Sequence, residues 1–524
     1  MRPTFLGFET CKRGLATNQK VLDIVGQNLT NWDTPGYTRQ RIDIVSVSLN
    51  SSASRYAVQR TDLAGQGVDM AGVSQIRDPY LDRRFRAEYG DAAYQSQANT
   101  ILGDLEAALR EDGLNGTDGG GIQVALSDLF SACSKYAENP ADEALANLVG
   151  VAAKNVTQTL RELSSKLDGV EEQTKYDMEI SVKDYNDKLQ KLAQLNKAIR
   201  DDVAATARNE YYGPNELLDQ RNLLLDELSS YTDTDIKEEK DGTVTVKVNG
   251  HTVLAGEKAD EINLRENNDG TVTMSWNSTG KEMNSTTGSL KAYGDFVNGA
   301  GPNMSSKGET LERGIRYYRG KLDTLARTFA TAMNQVVPAQ VDAQGNPVRN
   351  PDGSIAGYKV LFGARVPKEG APGEYTTTID FPIDASNIAI SDDWVSDPTF
   401  VMFQKGNGDP TYAFDMRNLL NGEDASIDFI SNGEKFTGSF QSYVNDYCNT
   451  LAADVNYYTS RAKATATIAD EMLDRRDEVS AVNQDEETQS MMIYNKAYQA
   501  ISRVLTTMDE ALDVLINRTG MVGR

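Results

Sequence analysis

Apolar residues recur at spacings of three and four at both ends of the chain. Near the C-terminus the row is Met491, Tyr494, Tyr498, Ile501, Leu505, Met508, Leu512 and Leu515. Near the N-terminus it is Phe8, Cys11, Leu15, Asn18, Leu22, Val25 and Leu29, with one polar interruption. This spacing predicts two helices, Thr4 to Thr30 and Asn483 to Asn517, each carrying a heptad stripe on one face. At 1.5 Å per residue they are about 40 and 50 Å long. A lone helix cannot cover its own stripe, and its hydrogen bonds return only a modest net gain, so each needs partners. Ala497, Val504 and Ala511 beside the C-terminal stripe are small or apolar, which widens the sticky face beyond a two-stranded seam. Gly7 and Gly14 beside the N-terminal stripe permit close helix approach. Two packings satisfy the pattern: a hairpin between the chain's own ends, and association with other subunits. A hairpin that then stacks combines them.

The segment Asn28-Leu29-Thr30-Asn31-Trp32-Asp33-Thr34-Pro35-Gly36-Tyr37-Thr38-Arg39 ends the first heptad row. Asn and Thr favour helix ends, and Pro35-Gly36 suits the centre of a type II turn, where Gly supplies a positive φ. An extended stretch from Arg41 to Leu49 follows, with a bulge between its two phases, and residues 50–72 read as a Ser- and Gly-rich loop with short strands. From about Asp78 to Tyr231 the pattern is helical. Leu102, Leu105 and Leu109 keep the spacing, as do Leu160, Leu163, Leu167 and Leu189, Leu192, Leu195, Ile199, with breaks at Asp112 to Gly121 and Asn139-Pro140. The glycine run lacks the Gly-Lys-Ser/Thr of a phosphate loop and reads as a connector. Near Asp235 the period becomes two, and the turns Asp241-Gly242 and Asp269-Gly270 signal hairpins. A helix from about Glu309 to Val336 leads into residues 338–437, rich in Gly, Pro and Asp, which read as an inserted, mostly β domain. Helix resumes from Gly438 to Asp477.

The expected fold is α+β, multidomain and elongated, because the elements are nested. Residues 1–75 with 478–524 form a terminal coiled-coil domain with its adjoining turn and strand. Residues 76–234 with 305–337 and 438–477 form a helical bundle, 235–304 a β domain, and 338–437 the inserted variable domain.

The charge pattern narrows the function. The 524 residues carry 53 Lys and Arg against 77 Asp and Glu, a net charge of −24. No basic run offsets this, which argues against nucleic acid and against an anionic membrane surface. No apolar run approaches the roughly 18 residues needed to cross a bilayer, and Met1 to Glu9 is too short and polar for a secretory h-region. Cys11, Cys133 and Cys448 are far apart, giving neither a disulfide framework nor a zinc pattern; they read as small buried apolar residues. The one histidine, His251, reads as a turn or surface residue. Asp342 and Asp352 open Gly-containing turns without the bidentate Glu of a calcium loop. No metal or cofactor is expected.

These residues resemble the flagellar axial protein family, and within it the hook-associated proteins of the FlgK type. The run from Asn28 and Asn31 through Thr34-Pro35-Gly36-Tyr37 is similar to the signature shared by rod, hook and junction proteins after their first helix. Arg77-Asp78, Leu81-Asp82, Arg86, Leu105-Glu106, Glu111, Leu129-Phe130 and Asn139-Pro140 resemble the long FlgK helical domain. Asn215 to Arg221 is similar to its next helix, and Val482-Asn483-Gln484-Asp485-Glu486-Glu487 to the C-terminal entry. The resemblance covers residues 1–340 and 438–524; Trp32-Asp33 departs from the smaller residues common in relatives. It implies a non-catalytic structural adaptor joining hook to filament in the extracellular flagellum. It also implies export by the flagellar type III apparatus and polymerisation through the terminal helices. The implied partners are other copies in a ring layer, the hook protein, the second hook–filament junction protein and a FlgN-type chaperone on the C-terminal helix. Subunit packing falls to Phe8, Leu15, Leu22, Val25, Leu29 and the C-terminal row Met491 to Leu515. Another axial protein (hook, distal rod or flagellin) is the alternative, though hook and rod proteins lack so long a helical segment and flagellins lack the Thr34–Tyr37 signature. A glycan hydrolase using Asp380, Asp384, Asp392, Asp393, Glu423 and Asp424 is a weaker one, because the chain is acidic throughout.

Overall fold

A computed structural model describes residues 6–47, 67–110, 121–206, 214–303, 312–342, 346–368, 374–403, 410–422 and 426–518. In chain order the elements are α1 (Leu6–Thr30), β1 (Gln40–Ser46), β2 (Val68–Gln75), α2 (Pro79–Arg110), α3 (Ile122–Glu138), α4 (Glu143–Thr206) and α5 (Asn215–Ser229). Six strands follow: β3 (Asp235–Glu238), β4 (Val244–Val248), β5 (His251–Ala255), β6 (Lys258–Ala259), β7 (Ile262–Glu266) and β8 (Val272–Trp276). Then come α6 (Ser289–Asn298), α7 (Ile315–Met333), β9 (Phe362–Pro367), β10 (Tyr375–Thr378), β11 (Ile388–Ile390), α8 (Asp392–Ser396) and α9 (Pro410–Asn421). The last elements are β12 (Ile427–Ser431), β13 (Glu434–Gly438), α10 (Phe440–Ser480) and α11 (Gln484–Asp513). The fold is α+β, dominated by long helices, and none of those described is long and apolar enough to cross a membrane.

Two compact units share the chain. The first holds Met1–Asp91, Tyr185–Glu261 and Thr465–Arg524, the second Ala92–Asp184 and Ile262–Ala464. In the first, β1 and β2 pair antiparallel, and β3-β4-β5-β6 form a meander. The β1–β2 bulge falls at Asp43/Ile44, with Ala71 of β2 the extra residue. It therefore lies in the partner strand and earlier than the pattern of β1 suggests. Asn196 of α4, fully buried, binds the meander in place of a leucine. Its side chain donates to the Val244 and Gly256 carbonyls and accepts from the Val244 N–H. Leu195 is left only half-buried.

In the second unit the core is aromatic. Phe329 of α7 meets Phe362 of β9 at 4.9 Å and Phe440 of α10 at 5.6 Å, and Phe429 of β12 stacks on Tyr443 at 4.2 Å. Edge-to-face and offset contacts of this kind add to the burial of large rings. The β7–β8 hairpin turns at Asp269-Gly270, as β3–β4 turns at Asp241-Gly242. In each, the Asp carboxylate accepts from the N–H and hydroxyl of the Thr two residues on.

Several expectations shift. Residues 50–72 end in a regular strand, β2, which starts at Val68; residues 50–66 lie outside the described residues. The helix read as Glu309 to Val336 is α7, Ile315–Met333, closed by a turn at Asn334 to Val336; Glu309 to Leu311 lie outside the described residues. The 338–437 stretch contains two helices, α8 and α9, besides strands β9 to β12. His251 is not a turn residue: it opens β5, half-buried, with Nε2 2.7 Å from Asp260 Oδ2. Cys133 is buried and burial pushes its thiol up to about 12, whereas Cys11 and Cys448 are only half-buried. Most of the glycine run read as a connector, Asp112 to Gly120, also falls outside the described residues.

Candidate subunit-packing surface

The turn after α1 is held as its sequence demands. Thr34 C=O accepts from Tyr37 N–H at 3.1 Å, and Gly36 between them has φ +78°. A side chain at Gly36 would also meet Leu223 Cβ at 3.2 Å, so two constraints fix glycine there. Asn31 closes the helix: its amide donates to Gln27 C=O, and its Oδ1 accepts from the Thr34 hydroxyl.

Asn28 is the centre of this corner, 1 % exposed. Its Oδ1 accepts from the Tyr37 hydroxyl at 2.8 Å and from Gln40 N–H at 3.1 Å. Its Nδ2 donates to Gln40 C=O at 2.9 Å and to Glu487 Oε2 at 3.3 Å. Two donor and two acceptor sites are thus all used, which a buried amide needs if it is not to cost stability. Glu487, 3 % exposed, takes Arg39 Nε at 2.7 Å, while Arg39 Nη1 reaches Glu486 at 2.8 Å. Partial burial opposes the Arg39 charge, but these two carboxylates outweigh it and raise its pKa. Arg39 N–H donates to Ser480 C=O at 2.9 Å. The corner therefore ties the end of α1 and the start of β1 to the start of α11.

Asp219 of α5 adds a second tie. It accepts from Thr38 N–H at 3.1 Å and from Gln75 Nε2 at 2.8 Å. Burial lifts its pKa to about 6, against the lowering effect of the Thr38 hydrogen bonds and the Arg77 charge. Burial and the nearby carboxylates likewise keep the Tyr37 phenol protonated.

From this corner α1 and α11 run antiparallel. Asn28 faces Glu487, Gly14 faces Ile501 and Gly7 faces Met508. A Cβ at Gly7 would come within 2.6 Å of Met508 Cε, and one at Gly14 within 3.3 Å of Ile501 Cδ1. The glycines are where the helices touch, as their position beside the stripe suggests.

The pairing leaves both stripes only partly covered. The buried row of α1 is Gly14, Thr17, Val21, Val25 and Asn28. It is turned by about one residue, ~100° on a helix, from the apolar row. Phe8, Cys11, Leu15, Asn18, Leu22 and Leu29 are half-buried; Val25 alone of that row is buried. On α11, Met491, Tyr494, Tyr498, Ile501, Leu505, Met508 and Leu512 are half-buried, and Leu515 just beyond its end is exposed. Over its 30 residues α11 buries one side chain, the polar Glu487. Ala497 is half-buried, and Val504 and Ala511 are exposed. Beyond the stripe, Met492, Ile493, Val514 and Ile516 are exposed, the last at 71 %.

Three of the acidic residues named for a hydrolase have local structural partners. Asp384 accepts from Ser386 and Asn387, Asp392 from Thr376 and Thr377, and Asp380 from Thr378. Asp393 lies in the first turn of α8. Glu423 and Asp424 lie outside the described residues. Among the described residues no three His, Cys, Asp or Glu cluster as metal ligands. Sequence reasoning missed the Arg39–Glu487 pair. The available signal was the acidic triplet Asp485-Glu486-Glu487 in the first turn after the Asn483 cap, and it reads equally well as a helix-dipole feature.

Comparison with known proteins places the chain among flagellar relatives. Residues 110–350 match the family described as the flagellar hook-associated protein FlgK helical domain. Residues 474–518 match the C-terminal family of flagellar basal body rod FlgEFG proteins. Flagellar hook-associated protein 1 of Bacillus subtilis is 28 % identical with full coverage of both chains. The proteins of that name from Salmonella typhimurium and Escherichia coli are each 22 % identical, over 96 % of this chain and 98 % of theirs. The solved structure of the flagellar hook junction protein FlgK from Burkholderia pseudomallei superposes with a TM-score of 0.55. It covers 76 % of this chain and all of that one, at 12 % identity, a likeness of fold.

Proposed function

We propose that this chain, a flagellar hook-associated protein of the FlgK type, is a structural subunit of the hook–filament junction that polymerises through its terminal helices. The observation that carries the reading is α11, a regular 30-residue helix in which no apolar side chain is buried. Exposed apolar area of that extent marks an interaction surface. The antiparallel partner α1 covers one side and offers its own half-open row, Phe8, Leu15, Leu22 and Leu29, beside it. Together they form a ridge that further copies bury in a ring layer. The corner at Asn28, Asn31, Thr34, Pro35, Gly36 and Tyr37 sets the angle at which that ridge leaves the rest of the unit.

The hook protein and the second junction protein are the neighbours this position calls for. A FlgN-type chaperone on α11 before export by the type III apparatus is consistent with so much apolar surface. The role is non-catalytic, and the protein works outside the cell as part of the flagellum.

Leu505→Asp and Ile501→Asp test the reading. Each is expected to keep the far-ultraviolet circular dichroism of the free subunit while abolishing incorporation and weakening chaperone binding. Normal incorporation of either variant would contradict it.

A further inference from the structure

The first unit contains a cleft of about 1240 Å³, walled by β1, β2, the start of α2, α5 and the β3–β4 hairpin. Six basic side chains line it, Arg41, Arg77, Arg83, Arg86, Arg221 and Lys237, against four carboxylates. That balance is the reverse of the whole chain, whose net charge is −24. The six basic residues come from four separate stretches of sequence, so no basic run betrays them.

Three of these guanidinium groups are pulled out of water, and two of them, Arg86 and Arg221, keep an unpartnered nitrogen. Arg77 Nε binds Asp82 and Arg86 Nε binds Asp226, both at 2.6 Å. Arg221 gives Nη2 to Glu238 at 2.6 Å and Nη1 to the Gly242 carbonyl at 3.0 Å. Arg86 Nη2 and Arg221 Nε remain buried without a hydrogen-bond partner, as do the hydroxyls of Ser74 and Thr234 and one oxygen of Asp82. All five residues line the cleft. Burial lowers the Arg221 pKa, Glu238 opposes this, and the charges of Arg86 and Arg77 lower it further. Buried like charges with spare donors are costly unless an anion comes near. Low-dielectric walls focus such a field into the cleft. At the rim stand Arg83, exposed, and Arg41, exposed and ion-paired with Asp43.

We propose that this cleft binds oxyanion groups, carboxylates or phosphates, with Arg41 and Arg83 as the capturing rim and Arg86 and Arg221 as the inner charges. The source is either an acidic protein segment, which a chain with 77 Asp and Glu presents in every further copy, or a free small anion. Binding is a property of the single subunit and does not depend on the helical ridge.

The test titrates the full-length monomer, at low and moderate salt, with a hexaglutamate peptide and separately with inorganic pyrophosphate. Saturable binding of at least one probe is expected, weakening with salt. The double variant Arg41→Ser with Arg83→Ser, whose side chains are exposed and leave the core intact, should bind at least about tenfold more weakly, a loss of about 1.4 kcal/mol. Arg221→Met should weaken binding by a similar factor. Binding of the peptide alone identifies an acidic segment as the source, and binding of pyrophosphate alone a small anion. No binding of either probe, or equal binding by wild type and the rim variant, would overturn the proposal and leave the adaptor reading untouched.

Discussion

Helices α4 and α11 carry the same alternation of apolar residues and end in opposite states. On α4, Leu160, Leu163, Leu167, Leu189, Leu192 and Ile199 are all at most 1 % exposed. On α11 none of the seven stripe residues is buried, and Leu515 just beyond it is exposed. Periodicity therefore fixes that a helix forms and which face is apolar, while the supply of neighbours decides whether that face is satisfied within one chain. An apolar stripe left open on an otherwise regular helix is better explained by a partner than by poor folding.

The largest expected effect sharpens that contrast. Leu163→Ala should cost about 2–5 kcal/mol in urea unfolding of the free subunit, as core truncations do. Leu505→Ala should change the same measurement by less than about 1 kcal/mol, in the range of surface substitutions, yet impair incorporation. Equal destabilisation by the two would remove the distinction.

The corner between the regions should be intermediate. Asn28→Ala removes four hydrogen bonds and leaves Glu487 and the Gln40 backbone short of partners. A loss of roughly 1–3 kcal/mol follows, read as a shift in the urea midpoint. A double-mutant cycle of Asn28→Ala with Glu487→Gln should show coupling, since the two side chains touch; simple additivity would argue against a shared network.

The remaining effect is a pH dependence. Asp219 has a pKa of about 6 in the folded chain, above the ordinary aspartate value of about 4. Between these values the folded state binds more protons than the unfolded one, so this group's contribution to stability falls as pH rises from about 4 to about 6. Asp219→Asn keeps an oxygen to accept from Thr38 and Gln75 but cannot ionise. Its stability should lack that component, seen as a flatter midpoint-against-pH curve over the same interval. An unchanged curve would show that Asp219 titrates normally.

How much was legible in the sequence follows from the range of each interaction. The Pro35-Gly36 turn, the Asp241 and Asp269 hairpins and the helical rows are local, decided by residues within a few positions of each other. The contact of Gly7 and Gly14 with α11 was legible because small residues beside a stripe have one obvious use. Asn28, Asn196 and Glu487 were not, because their partners lie 9 to 459 positions away and a buried polar residue looks like any other until its partner is placed. The arginine cleft was hidden for the same reason. The 338–437 stretch read as mostly β because Gly, Pro and Asp mark turns without saying what lies between them, and α8 and α9 lie there.

The central claim, that the terminal stripes are completed by other subunits, is tested most directly by hydrogen exchange on residues 6–30 and 484–513. Fast exchange in the free subunit, well above that of α4, with strong protection once the subunit is assembled, is the predicted result. Protection in the free subunit equal to that of α4, unchanged on assembly, would contradict it.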